Sequence, residues 1–293
     1  MNEYQKGVVL ITGASSGIGK SCALLLDKIG YQVFAGVRTD RAAENLKKES
    51  SSRLSTLMLD ITRQEHIDEA YKIIEDRLCG KGNFCALVNN AGYTEAGPLE
   101  FLPLERLRYQ LEVNIIGHYA VTQKFMPLIR ESKGRIINTG SPAGLFSSPF
   151  IGAYNISKHA MTAFNDTLRR ELKPWGIRVV LIIPGFIDTP IWDKSYSEMD
   201  KLIDSLSDDD RNKYRSAIIN GRKFMDTKGR SRAISPDKVA ASISRAIQSG
   251  HPKSIYFAGP DSYTSFGIGK FIPSKIVDFV TSLILNGRIN RFL

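Results

Sequence analysis

Cysteine is scarce in this sequence: Cys22, Cys79 and Cys85 are the only 3 in 293 residues, and their spacing is irregular. A disulfide framework needs paired cysteines and a zinc site needs closely spaced ligands, so neither is expected and no metal is assigned. A reducing, cytoplasmic setting follows as the expectation. Long apolar runs are missing as well, since none reaches the ~18 residues needed to cross a bilayer. The opening segment "MNEYQKGVVLITG" carries an acidic residue early and runs straight into a strand. It has no basic region leading into an apolar core and a small-residue cleavage site, so no secretory signal is expected. Internal repeats, low-complexity tracts and an inter-domain linker are also lacking, which points to one domain over 1–293.

The composition is that of a globular protein, with 42% hydrophobic and 24% charged residues. Net charge is +10, unevenly placed: residues 211–293 hold 15 Lys/Arg against 4 Asp/Glu. A basic C-terminal quarter can attract nucleic acid, anionic lipid or a phosphorylated ligand, or can simply be a solvated surface. No finger, basic zipper or other nucleic-acid module accompanies it, so nucleic acid is excluded as a partner.

Short apolar runs alternate with helical ones. "VVLITG" (8–13), "YQVFAGVR" (31–38), "STLMLDIT" (55–62), "CALVNNAG" (85–92), "GRIINTGS" (134–141), "IRVVLIIPG" (177–185) and "SIYFAG" (254–259) read as seven strands. The gaps between them are long enough for crossover helices, and the runs do not alternate in polarity. Both features predict an α/β fold with a parallel sheet covered on both faces. Residues 235–250 read as a helix, with Ser235 as N-cap, Pro236 in the first turn and Gly250 at the exit. Between 186 and 234 the rhythm breaks into a segment too long for a plain connector. It lies just past a strand's C-terminal end, where such sheets bind ligands, and is read as a partly helical cover over a substrate.

Two patterns carry chemistry. The first strand ends in "TGASSGIGK", with Gly13, Gly17 and Gly19 opening a helix. Glycine permits a sharp turn and close approach to a pyrophosphate, and the helix N-terminus offers free N–H groups to the phosphates. The second is "AYNISKHA", which sets Tyr154 and Lys158 four residues apart on one helical face, about 6 Å along the axis. A half-buried tyrosine beside a snorkelling lysine is the ordinary reading of such a pair.

The glycine spacing GxxxGxG, "NNAG" (89–92), the Tyr154/Lys158 pair and "PG" (184–185) together closely resemble the short-chain dehydrogenase/reductase family, over roughly residues 7–190. The resemblance implies a Rossmann-type, doubly wound three-layer fold with a seven-stranded sheet, and alcohol–carbonyl interconversion by transfer of the pro-S hydride of a nicotinamide. It implies Tyr154 as general acid/base and Lys158 as its partner and a ligand of the nicotinamide ribose. Ser141, thirteen residues before Tyr154, takes the role of polarising the substrate oxygen, although "NTGSPAG" lacks the adjacent serine often seen there; Thr139 is out of register. Asn114, in "LEVNIIGHY", takes the position of the asparagine that keeps a water beside the lysine. A free phenol titrates near 10, so acting near neutral pH needs roughly 4 kcal/mol in favour of the phenolate. An ammonium about 5 Å away supplies roughly 3 kcal/mol at an effective dielectric near 20, so Lys158 is expected to provide most of it.

For the cofactor, the resemblance assigns Gly13, Ser15, Gly17, Ile18 and Gly19 to the phosphates, Asp60 to the adenine, and Asn89, Ala91 and Gly92 to the loop flanking the adenosine ribose. Pro184, Gly185, Ile187 and Thr189 fall to the nicotinamide end. At the end of the second strand Val37 stands where an acid would bond a ribose 2′-hydroxyl, and Arg38 follows. Arginine suits a 2′-phosphate, so NADP(H) is expected over NAD.

The apolar cover and the 260–293 extension look like the branch containing retinol and 17-beta-hydroxysteroid dehydrogenases, implying a bulky apolar alcohol or carbonyl as the small-molecule substrate. An NAD-linked dehydrogenase of a sugar or short acyl chain, and a non-catalytic nucleotide-binding regulator, are the alternatives. Ile276, Phe279, Val280, Leu283 and Ile284 sit at helical spacing between Lys270, Lys275, Arg288 and Arg291. That suits either peripheral contact with a membrane or a helix packed over the pocket or a second subunit, and packing is the expected outcome. A homodimer or homotetramer is expected through the long helices of 105–131 and 151–173.

Overall fold

The structure, a computed structural model, describes residues 6–78, 82–189 and 191–288; Cys79, Arg291 and the end of the extension lie outside the described residues. The seven apolar runs form β1 (Val8–Ile11), β2 (Gln32–Val37), β3 (Leu54–Met58), β4 (Phe84–Asn89), β5 (Arg135–Thr139), β6 (Arg178–Pro184) and β7 (Ile255–Ala258). They pair in parallel in the order β3-β2-β1-β4-β5-β6-β7. The strands stop short of the predicted ends because Thr12, Asn90 and Ser141 turn out of the sheet into loops, and those loops hold the site.

The helices are α1 (Gly17–Lys28), α2 (Asp40–Lys47), α3 (Gln64–Leu78), α4 (Leu104–Leu111), α5 (Gly117–Ser132), α6 (Gly152–Leu172), α7 (Ile191–Asp204), α8 (Asp208–Phe224), α9 (Pro236–Gln248), α10 (Pro260–Phe271) and α11 (Ser274–Leu285), the last two following β7. Successive residues of β1 serve opposite layers. Val9 and Ile11 join the core with Cys22 and Leu26 of α1 and Val239 and Ile243 of α9. Val8 and Leu10 join the other, with Ile67 and Ile74 of α3, Phe125 and Ile129 of α5 and Leu172 of α6. This is why the strand sequence shows no alternation: both faces are buried, each large side chain contributing about 1.5–3 kcal/mol of transfer free energy.

The chain leaves β1 toward β2 on one side and returns through β4 on the other. At that reversal the helices diverge and a crevice opens over the C-terminal strand ends. The segment expected to form a cover folds into α7 and α8, joined by a turn in which the Ser207 hydroxyl accepts from the Asp210 N–H at 3.2 Å. Asp208, Asp209 and Asp210 in the first turn of α8 suit its positive dipole end. The helix predicted over 235–250 is α9, with Ser235 capping the Asp237 N–H at 3.2 Å. In the extension α11 packs on α8, where Asn220 Nδ2 donates to the Leu285 carbonyl at 2.8 Å, while Ile276 and Phe279 face outward. No helix among the described residues is long and apolar enough to cross a membrane.

Candidate active site

The β1 and β4 loops are stitched together before any ligand is considered. The Thr12 hydroxyl accepts from the Asn90 and Ala91 N–H groups, each at 3.0 Å. Asn90 Nδ2 donates back to the carbonyls of Thr12 and Gly13 at 3.0 and 3.1 Å. Gly13 and Gly17 take φ of +67° and +53°, a region that favours glycine. A Cβ on Gly13 would stand 2.7 Å from the Ala91 Cα, and one on Gly17 would stand 2.9 Å from a methyl of Thr189. So the glycine loop, "NNAG" and the loop after β6 converge on one place. There α1 begins with Ser16 making no side-chain cap and with no acidic residue in its first turn. Its leading N–H groups and positive end therefore suit the pyrophosphate of a dinucleotide. Ser15 is exposed at this mouth and Ile18 packs back on the core.

Across the crevice, β5 ends at Thr139 and the chain turns at Ser141, whose hydroxyl accepts from the Ala143 N–H at 3.1 Å. Helix α6 then carries Tyr154 and Lys158 on one face, with the ammonium 5.6 Å from the phenol ring centre. The Ser141 hydroxyl acts on the Tyr154 phenol and favours its ionised form. Lys158 Nζ donates to the Thr139 carbonyl at 2.9 Å, tying the helix to the end of β5. Asn114 lies in a π-helical turn, Glu112–Ile116, between α4 and α5. Its amide bonds both backbone groups of Tyr93, at 2.9 and 3.0 Å, and donates to Ser157 Oγ at 3.0 Å. Ser157 in turn donates to the Tyr154 carbonyl at 2.8 Å. The four residues read from the sequence thus meet at one locus.

Their electrostatics correct one expectation. Burial raises the Tyr154 phenol above its ordinary range, and the Ser141 hydroxyl offsets only part of that. Burial also pulls Lys158 down to about 8. Both groups are driven toward their neutral forms, because the low-dielectric site penalises phenolate and ammonium alike. The lysine does not by itself deliver a phenolate, since its charge is spent on Thr139 and weakened by the same desolvation.

Arg38 is exposed just past β2, and its charge acts on Asp60. Burial raises Asp60, but hydrogen bonds from the Thr62 backbone and side chain, with the Arg38 and His66 charges, hold it below the usual carboxylate range. The assignment of Asn89 to the ribose loop needs correction for its side chain. That amide is fully buried and donates to Thr122 and Asn138, each at 2.9 Å, so it faces the core. Gly92 is exposed at the crevice. After Pro184 the Gly185 N–H pairs with the Ala258 carbonyl at 2.8 Å, and Ile187 is buried beside Ile234.

Three residues escaped the sequence reading. Asn90 and Thr12 lie inside the quoted motifs but act as structural stitches. His118, four residues past Asn114 in "VNIIGHY", is buried with Nε2 donating to the Ala91 carbonyl at 2.7 Å. Its spacing from Asn114 was the available signal.

A family model described as short chain dehydrogenase matches residues 7–200. The chain is 36% identical over 284 residues to estradiol 17-beta-dehydrogenase 2 of Mus musculus, covering 93% of this chain and 73% of that protein. It is 34% identical over 292 residues to retinol dehydrogenase 16 of Mus musculus, covering 95% and 88%. A short chain dehydrogenase from Burkholderia cenocepacia in complex with NADP aligns with a TM-score of 0.71 at 22% identity, over 95% of this chain and 98% of that one. The 3-ketoacyl-(acyl-carrier-protein) reductase from Brucella melitensis complexed with NADH aligns with a TM-score of 0.71 at 25% identity, over 88% and 98%.

His118 generates a prediction. Burial, then the Lys158 charge, lower its pKa from 6.5 to about 3, only partly offset by the Ala91 bond. The unfolded chain therefore takes up a proton as pH falls below 6.5 that the folded protein refuses until about 3. Stability from this group is complete above that window and lost on descending through it. His118→Gln, which keeps a donor for Ala91 but cannot titrate, should flatten the acid limb in urea midpoints measured between those limits. An unchanged limb refutes the assignment.

Proposed function

The chain belongs to the short chain dehydrogenase family and is an NAD(P)-dependent oxidoreductase of CH–OH and C=O groups; from that premise we propose that it uses NADP(H) on a bulky apolar substrate of steroid or retinoid type, with Tyr154 carrying the proton. The observation that carries this reading is that Tyr154 and Lys158 share one face of α6, the ammonium 5.6 Å from the phenol ring centre and bonded to the end of β5, at the crevice over the strand ends.

The Gly13–Gly19 loop and the start of α1 would hold the pyrophosphate, Arg38 the 2′-phosphate, Asp60 the adenine, and Ile187 with Thr189 the nicotinamide end. When bound, the coenzyme supplies or accepts the hydride. The chain's own part is the proton. In reduction, the neutral Tyr154 O–H donates to the substrate oxygen while the Ser141 hydroxyl bonds that same oxygen and stabilises its developing charge. Burial serves this direction, since it keeps the phenol protonated through neutral pH. Oxidation needs the phenolate, which the raised pKa makes scarce, so its rate should climb as pH rises. Lys158, fixed by the Thr139 carbonyl, keeps α6 in register with β5 while its ammonium faces the ring.

The substrate class is supported by the two relatives' names and by the apolar lining of the cover, where Met199 and Ile218 pack on Ala96, Phe150 and Ile151. NADP(H) is supported by exposed Arg38 at the end of β2, where no acid stands. A dimer through α4–α6 is supported by Tyr109, Ile116, Tyr119 and Ile156, which are 43–53% exposed despite their size.

Tyr154→Phe should lower kcat for reduction by about a hundredfold or more while leaving NADPH affinity within a few-fold; retained turnover refutes the role. Arg38→Leu should raise KM for NADPH about tenfold more than KM for NADH, and an equal effect on both returns the choice to NAD. Light scattering should give a dimer that Ile116→Glu with Tyr119→Glu dissociates. A monomeric wild type refutes that interface.

A further inference from the structure

Residues 93–97 run between the catalytic helix and the cover and are pinned on every side. Arg106, Gln110 and Asn114 succeed one another every four residues along α4 and into the π-helical turn, forming one row of polar side chains against this segment. Asn114 bonds both backbone groups of Tyr93. Gln110 accepts from the Glu95 N–H and donates to the Tyr93 carbonyl, both at 2.7 Å. The Glu95 carboxylate, in a residue only 2% exposed, accepts from the Tyr93 phenol on one oxygen and forms an ion pair with Arg106 Nη2 through the other. That same Nη2 reaches beyond the segment to the cover helix α7, meeting Glu198 at its carboxylate (3.3 Å) and its backbone carbonyl (3.4 Å). Ala96 then packs on Met199 and Ile218 of the cover, and the Gly97 N–H donates to the Phe150 carbonyl at 2.6 Å. Phe150, at φ +65°, is held in a conformation rare for a bulky residue just before α6.

One nitrogen thus serves two carboxylates of unlike standing. Glu95 is buried and would be left an uncompensated charge without its cation, so Arg106–Glu95 is the fixed half. Glu198 is half exposed, and such pairs are weak and exchangeable, so Arg106–Glu198 is the half that can open. We infer that Arg106 is a positioning residue that couples closure of the substrate cover to the placement of Asn114. With α7 down, Glu198 steadies Arg106, Arg106 steadies Glu95 and Tyr93, and Tyr93 holds the amide that reaches Ser157 and the Tyr154 turn. With α7 lifted to admit substrate, the row loses its outer clamp. The inference rests on the proposed catalytic role of Asn114 and Tyr154, but the linkage itself is mechanical and can be read without turnover.

The test is amide hydrogen exchange on the full chain, joined to steady-state kinetics. Glu198→Ala should raise exchange in 191–204 about threefold to fivefold and transmit a smaller rise to 93–97. Lys201→Ala, which removes the other cation of Glu198 (2.7 Å), should leave 93–97 unchanged. Arg106→Gln should raise exchange across 93–97 and 112–116 by about a hundredfold and lower kcat more than it raises KM. Arg106→Lys should restore most of both, because a single nitrogen makes every contact. A rise confined to 191–204 in Glu198→Ala, or one spread evenly over the sheet in Arg106→Gln, overturns the coupling. Should Arg106→Gln not fold, the Glu198→Ala and Lys201→Ala pair still decides. Loss of the catalytic reading would show as a wild type without turnover while the exchange pattern stands.

Discussion

The site depends on the seam between Thr12 and Asn90. Parallel strands are joined by bonds along their length, but past their ends each loop is free to part from its neighbour. At the switch point, where helices leave in opposite directions, the loops of β1 and β4 need ties of their own. Thr12 and Asn90 close that gap with four hydrogen bonds in about one turn's length of chain. The glycine loop can then pass close enough to Ala91 that no side chain fits between them. His118 anchors the β4 loop to α5 through the Ala91 carbonyl, and remaining uncharged is the condition of its burial.

Desolvation, more than pairwise attraction, sets the direction in which Tyr154 and Lys158 titrate. Two residues at i and i+4 with opposite preferred charges suggest mutual stabilisation, and arithmetic at an intermediate dielectric makes the lysine look sufficient. The folded site changes the sum, since each charge leaves water and Lys158 is turned to a backbone carbonyl. The result is a phenol held above its ordinary range, which favours its protonated form.

The parallel seven-stranded sheet was legible in the apolar runs and loop lengths, and the grouping of Ser141, Tyr154, Lys158 and Asn114 followed from the family resemblance that the motifs carry; the strand order was not read. The α9 helix was legible down to its cap from local pattern. What could not be read is which way a polar side chain points once its segment is placed. Asn89 and Asn90 are identical neighbours, yet period-two geometry sends one into the core and the other across the seam. Nor could the row of Arg106, Gln110 and Asn114 be seen, because its partners lie on a loop whose path is fixed only by tertiary contacts.

The buried Asn89 amide explains a second requirement of the chemistry. It donates to Thr122 of α5 and to Asn138 of β5, and Asn138 donates to Asn165 of α6 at 3.1 Å. This chain of amides crosses the molecule beneath the crevice, from α5 through two strands to the helix that carries Tyr154. Apolar packing alone leaves a helix able to slide on a sheet at little cost, since one aliphatic contact replaces another. A directional bond between Asn138 and Asn165 does not allow it, because a slip would strand both amides without water. Asn165 lies on the same helix as Lys158, and Asn138 immediately precedes Thr139, whose carbonyl receives the lysine. The two bonds fix α6 along β5 at two points, which is what keeps the Tyr154 phenol opposite the Ser141 hydroxyl.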